Sequence, residues 1–206
     1  MKAVNISAVG EIEVVDKPIP KLGRGEVLLK IKHVGFCGSD LNTFLGKNPM
    51  VKLPVIPGHE ISAVIAQVGD EVPENIKINS LCTVNPYTNC QRCSSCRNRK
   101  PNACKFNETL GVQRDGAMSE YIVVPWQKVI IDDEVTERDL ALIEPLSVGF
   151  HAVARANVTD TDMVMVIGCG MIGMGAVIRA VQRGASVIAV DVDDKKLQLY
   201  TRCSAH

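Results

Sequence analysis

The sequence predicts a mixed architecture: a β-rich domain, barrel or sandwich, over residues 1–146 that carries a small metal-bound lobe, then the opening part of an α/β unit over residues 147–206. Three observations predict it. Short alternating apolar runs punctuated by Pro and Gly fill the first part, as in Ile12-Glu13-Val14-Val15 before Pro18 and Pro20. Cys90, Cys93 and Cys96 form a C-x2-C-x2-C run, with Cys104 shortly after. From Met163, an apolar strand leads into Gly168-Cys169-Gly170-Met171-Ile172-Gly173, an apolar helical run to Arg183, a strand from Ser186 to Val190, and then Asp191. Strand, glycines, helix, strand and acid in that order mark a dinucleotide-binding βαβ unit, where the glycines alone would be weak.

Composition bounds the class. At about 150 residues per domain, 206 residues make one or two domains. The 23 Lys and Arg balance 23 Asp and Glu, so the chain lacks the electrostatic footprint of a nucleic-acid or anionic-membrane binder. No run of about 18 apolar residues occurs, and the start, Met1 to Ser7, lacks the apolar core of a signal peptide. A soluble cytoplasmic protein is expected, and in that compartment the 8 cysteines are reduced thiols or metal ligands rather than disulfides.

In chain order, Val27 to Val34 alternates in its later part as a half-buried strand does, with His33 on the polar phase and therefore on the surface. Cys37-Gly38-Ser39-Asp40 then offers a thiolate, a hydroxyl and a carboxylate, and Gly58-His59-Glu60 adds an imidazole and a second acid. Zinc takes such donors, and an open coordination position would make it a Lewis acid for an alcohol. The bland reading of Cys37 is a small buried hydrophobe. Ile61 to Val68 reads as a largely buried strand.

Cys90, Cys93, Cys96 and Cys104 can close a tetrahedron around zinc and leave no place for substrate, so that site is structural. An iron-sulfur cluster is the competitor, although the bacterial pattern follows its fourth cysteine with Pro and Cys104 precedes Lys105. Ala117 to Pro125 and Val129 to Ile131 return to strand composition. Glu144 then stands in the apolar run Leu140 to Leu146, as a metal-directed buried acid or as a head reaching solvent at a turn before Pro145. A helix is expected from Ser147 to Ala156.

In the α/β unit, Gly168 permits the tight turn, Gly170 lets backbone approach a pyrophosphate at the helix N-terminus, and Gly173 lets helix pack on strand. Asp191 would bond both ribose hydroxyls and repel a 2′-phosphate, which selects NAD over NADP; its bland reading is an N-cap for a helix starting near Asp193. A complete dinucleotide fold has about six strands. Only Val192 to His206 follows Asp191, so the expectation is a fragment with exposed apolar strand faces. Tyr200 to His206 does not extend the apolar stripe begun at Leu197 and Leu199, and is read as the product of a frameshift or an artificial end.

Together these residues resemble the zinc-dependent medium-chain dehydrogenase/reductase (alcohol dehydrogenase) family, in particular its sorbitol and threonine dehydrogenase-like branch. Glu144-Pro145-Leu146-Ser147-Val148-Gly149 looks like the polyol dehydrogenase pattern, in which a glutamate replaces the cysteine of classical alcohol dehydrogenases. The resemblance implies a GroES-like β-barrel domain with a structural zinc lobe, followed by a partial Rossmann domain. It implies a catalytic zinc on Cys37 and His59, with Glu60 and Glu144 ligating directly or through water, Ser39 taking the alcohol's proton and Asp40 orienting His59. It also implies two zinc ions per chain, NAD bound at Gly168, Gly170, Met171, Ile172, Gly173 and Asp191, a small alcohol or polyol as substrate, and a homo-oligomeric parent. Asn42 departs from the family's relay histidine, Ala63 from a usual glycine, and Asn79-Ser80 from a common Gly-Asp turn. The rivals are a zinc-stabilised module without catalysis and a related reductase without catalytic zinc.

Overall fold

The computed structural model describes residues 1–203. In chain order it contains β1 (Lys2–Ala8), β2 (Glu11–Asp16), β3 (Glu26–Gly35), α1 (Gly38–Phe44), β4 (Glu60–Val68), β5 (Leu81–Val84), α2 (Ser94–Arg97), β6 (Tyr121–Pro125), β7 (Val129–Ile131) and α3 (Glu137–Leu140). Then follow α4 (Ile143–Arg155), β8 (Met163–Ile167), α5 (Met171–Gln182), β9 (Ser186–Val190) and α6 (Asp194–Cys203). The chain divides into two compact units, one ending at Leu142 and one starting at Ile143. No helix among the described residues is long and apolar enough to cross a membrane.

The first unit is built on a five-stranded antiparallel sheet in the order β6-β3-β4-β5-β7, beside the β1-β2 hairpin. Alternation decides which side chains go inward. Val27, Leu29, Ile61, Ala63 and Ile65 are all fully buried and form one core cluster with Val84 and Val124. Lys32 and His33 face solvent, at a register shift between Ile31 and His33. Replacing Ile61 with Ala should cost about 2–5 kcal/mol, through lost transfer energy and the cavity left behind; urea unfolding monitored by circular dichroism checks it.

In the second unit β8 and β9 pair in parallel, Met163 with Ser186 through Ile167 with Val190. Val164 and Val187 pack against Val153 of α4, Val158 of the loop that follows it and Ala180 of α5. In line with the exposed apolar strand faces expected from the sequence, β8 leaves Met163 72%, Met165 59% and Ile167 78% exposed among the described residues. A strand with one neighbour and helices on one side has no cover for its alternate residues.

Two boundaries differ from the sequence reading. α4 begins at Ile143, ahead of Ser147, and includes Glu144 and Pro145. Proline is compatible with a first helical turn, because its missing N–H would have no intrahelical acceptor there. The apolar stripe of α6 does continue to Tyr200, which is 4% exposed and clusters with Cys169, Val177 and Leu197. Leu197 and Tyr200 are three positions apart and so share a helix face. Residues 204–206, part of the stretch read as a frameshift or artificial end, lie outside the described residues.

Candidate functional site

The first cluster forms where β3 ends. Cys37 is the N-cap of α1, with extended backbone. Asp40, 1% exposed, accepts the Cys37 N–H with one carboxylate oxygen at 2.9 Å. Its other oxygen accepts the Gly58 N–H at 3.3 Å and lies 4.0 Å from Nδ1 of His59. One buried carboxylate therefore ties the thiol-bearing segment to the imidazole-bearing one. Residues 116–118 brace the same segment: Gly116 N–H donates to the Ile56 carbonyl, Ala117 to Gly58 and Met118 to Pro57, at 2.7–2.9 Å.

Glu60 pairs in register with Gly35. A Cβ on Gly35 would overlap the Glu60 side chain, so the glycine makes room for the acid to fold across β3. As a result the Cys37 sulfur, an imidazole nitrogen of His59 and a carboxylate oxygen of Glu60 lie within 4.8 Å of one another, with His59 and Glu60 buried. Hydrogen bonding from His59 is the largest influence on Cys37 and lowers its pKa, against the opposing effect of burial; Ser39 lowers it further. The Ser39 Oγ is shut off from solvent on the side of the Cys37 thiol. Sulfur, nitrogen and carboxylate donors converging on one point, with a thiol biased toward thiolate, fit zinc. Glu144 is buried in the first turn of α4, in the second unit.

The second cluster is the cysteine lobe. The four sulfurs of Cys90, Cys93, Cys96 and Cys104 also lie within 4.8 Å of one another. The Cys93 and Cys104 sulfurs are 3.9 Å apart, far beyond a disulfide bond, and all four cysteines of the lobe are free thiols. Backbone N–H groups point at the sulfurs: Cys93 N–H to Cys90, and both Cys90 N–H and Phe106 N–H to Cys104, each at 3.3 Å. Backbone donors at Cys96 and Lys105 bring the Cys93 pKa down to about 6, while burial and the neighbouring thiols push Cys96 up to about 12. Four thiolates this close repel one another. A divalent cation removes that conflict, and the donor set suits tetrahedral zinc.

The third cluster joins β8 to α5. The Gly168 N–H donates to the Val190 carbonyl at 2.8 Å, which docks the turn on the end of β9. Gly168 has φ +98, in the left-handed region where glycine is favoured, and a Cβ on Gly173 would strike the Gly168 carbonyl oxygen. Gly170 caps α5, and Met171 and Ile172 open it, 44% and 50% exposed. Asp191 accepts the Cys169 N–H at 2.6 Å and the Asp193 N–H at 2.9 Å, with Nζ of Lys196 3.6 Å away. Those backbone bonds, the one from Cys169 first, hold its carboxyl below the usual range. The cap-type bond at the start of α6 belongs instead to Asp193, which accepts the Lys195 N–H at 2.9 Å. Gly35, the 116–118 brace and Lys196 escaped the sequence reading; a glycine ending a strand opposite a ligand segment was the available signal for the first.

Known dehydrogenases share this fold. Residues 23–132 match the model of the alcohol dehydrogenase GroES-like domain. L-galactonate-5-dehydrogenase of Escherichia coli K12 is 37% identical, over 85% of this chain and 51% of its own length. The crystal structure of galactitol-1-phosphate dehydrogenase from Escherichia coli superposes with TM-score 0.92 at 35% identity, covering 100% of this chain and 60% of that one. A short chain alcohol dehydrogenase of Escherichia coli CFT073, solved with NADH, has TM-score 0.92 at 32% identity with the same coverage. The chain thus spans between half and 60% of the length of these relatives. With a GroES-like barrel domain, a four-cysteine lobe and the opening strand, glycine turn and helix of a dinucleotide-binding unit, it belongs to the zinc-type alcohol dehydrogenase family of medium-chain dehydrogenases.

Proposed function

We propose that the protein is an NAD-dependent zinc dehydrogenase acting on a secondary alcohol of a polyol. The convergence of Cys37, His59 and Glu60 donor atoms within 4.8 Å carries this reading. Zinc, when bound, supplies a Lewis acid for the alcohol oxygen, and NAD supplies the hydride acceptor. Cys37 contributes a thiolate favoured by its contacts with His59 and Ser39. Asp40 keeps the two ligand segments in register, and the buried Ser39 hydroxyl would accept the alcohol's O–H as the first station for its proton, handing its own proton onward toward solvent. A second zinc, held by Cys90, Cys93, Cys96 and Cys104, is structural.

Gly168, Gly170 and Gly173 shape the turn on which the Met171 and Ile172 amides meet the pyrophosphate. Asp191 keeps its charge because of its backbone bonds and takes the ribose hydroxyls, so a 2′-phosphate is disfavoured. The polyol class rests on the galactonate and galactitol phosphate activities that two relatives' names carry. A cytoplasmic location fits the free thiols, and a homo-oligomer belongs to the same reading.

The test offers zinc-loaded protein sorbitol, threonine, butanediol and phosphorylated hexitols, with NAD or NADP, and follows the near-ultraviolet absorbance of the reduced nicotinamide. Polyol-dependent NAD reduction, lost in Cys37→Ala, is expected. Reduction of NADP in preference to NAD contradicts the role given to Asp191. Equal rates with Cys37→Ala contradict the catalytic site, and a chain with one zinc and no reduction is the non-catalytic module.

A further inference from the structure

Tyr200 reaches from α6 to the glycine turn. Its ring is buried against Cys169 and Val177, and its hydroxyl donates to the Gly170 carbonyl at 3.1 Å. The same carbonyl accepts the Met174 N–H at 2.8 Å, the first bond of α5. A carbonyl oxygen has two lone pairs, and here both are engaged. Room for the hydroxyl depends on the fingerprint itself, since a Cβ on Gly173 would lie 3.3 Å from it.

The peptide unit that contains the Gly170 carbonyl also contains the Met171 N–H. That unit is planar and trans, so its C=O and N–H point in opposite directions. Two donors behind the carbonyl therefore fix the direction of the amide in front, where the first N–H groups of a helix have no intrahelical acceptor. Donation to the carbonyl also polarises the N–H of the same amide and makes it a stronger donor.

We infer that Tyr200 is a positioning residue for a diphosphate-bearing ligand: through Gly170 it aims the Met171 amide at the pyrophosphate. This rests on the dinucleotide reading above. Tyr200 itself does not touch the ligand.

Tyr200→Phe keeps the ring and removes the hydroxyl. Calorimetric titration of the 206-residue chain with ADP-ribose and with adenosine, before and after the substitution, tests the inference. ADP-ribose should bind about 3- to 10-fold more weakly to the variant, the loss of one hydrogen bond acting through the amide, while adenosine binds unchanged. The Met171 amide proton should move upfield in the ligand-free protein. Equal ADP-ribose affinity, an equal loss for adenosine, or an unmoved Met171 resonance would each overturn the inference while leaving the dinucleotide reading intact. Failure of the unsubstituted chain to bind ADP-ribose would remove that reading and the inference with it.

Discussion

Replacing His59 with Ala should leave the protein with one zinc per chain where the unsubstituted form is expected to hold two. His59 is 6% exposed, and its segment is tied down by Asp40, by the 116–118 brace and by β4, so the loss of the imidazole is not made good by a neighbour. Outer partners of a metal ligand are worth about 10- to 100-fold in affinity, and removal of a ligand itself should exceed that. Metal content after dialysis, measured by plasma mass spectrometry, reads the effect, and far-ultraviolet circular dichroism should stay unchanged. Retention of both ions by His59→Ala would show that the cluster around Cys37 is not the ion's seat.

Chelation should produce the second large effect, in the cysteine lobe. α2 is one turn of 4 residues with no buried residue, and Cys104 is the buried thiol of the lobe. A helix that short has no stability of its own, and so little apolar burial cannot order the surrounding loop. On the zinc reading, the ion would take the place of a core. Binding energies of about 10–16 kcal/mol in zinc-finger peptides show how far a metal can carry such a segment. Arg92, Arg97, Arg99 and Lys105 are exposed on this lobe and make it a tryptic target. Chelator should raise cleavage there by about 100-fold or more, with Cys93→Ser doing the same without chelator, while the sheet of the first unit stays resistant. Visible charge-transfer absorption from the purified protein would point instead to an iron-sulfur cluster.

What could be read from the sequence was what local periodicity and close spacing encode. The alternation in the later part of β3 placed His33 outward, and the run from Ile61 to Val68 gave a largely buried strand. Four cysteines within one short segment could be recognised as a group because few conformations of so short a loop keep them apart. Contacts between distant segments were harder. Asp40 stands out as an acid near Cys37, but its bond to Gly58 depends on where β3 and α1 bring the chain. Gly35 matters only because β3 and β4 pair in one register. The helix start at Ile143 was hidden because Pro145 was read as a boundary, although it is tolerated in a first turn. Tyr200 looked like the end of a stripe because its packing partners, Cys169 and Val177, lie on the turn and helix before it.

Anomalous scattering from crystals of the zinc-loaded protein, recorded on either side of the zinc edge, tests the metal assignment most directly. Two peaks per chain are expected, one among the four sulfurs of Cys90, Cys93, Cys96 and Cys104 and one between Cys37, His59 and Glu60. A peak at the cysteine lobe alone, with the Cys37 and His59 side chains ordered and no scatterer between them, would contradict the dehydrogenase reading.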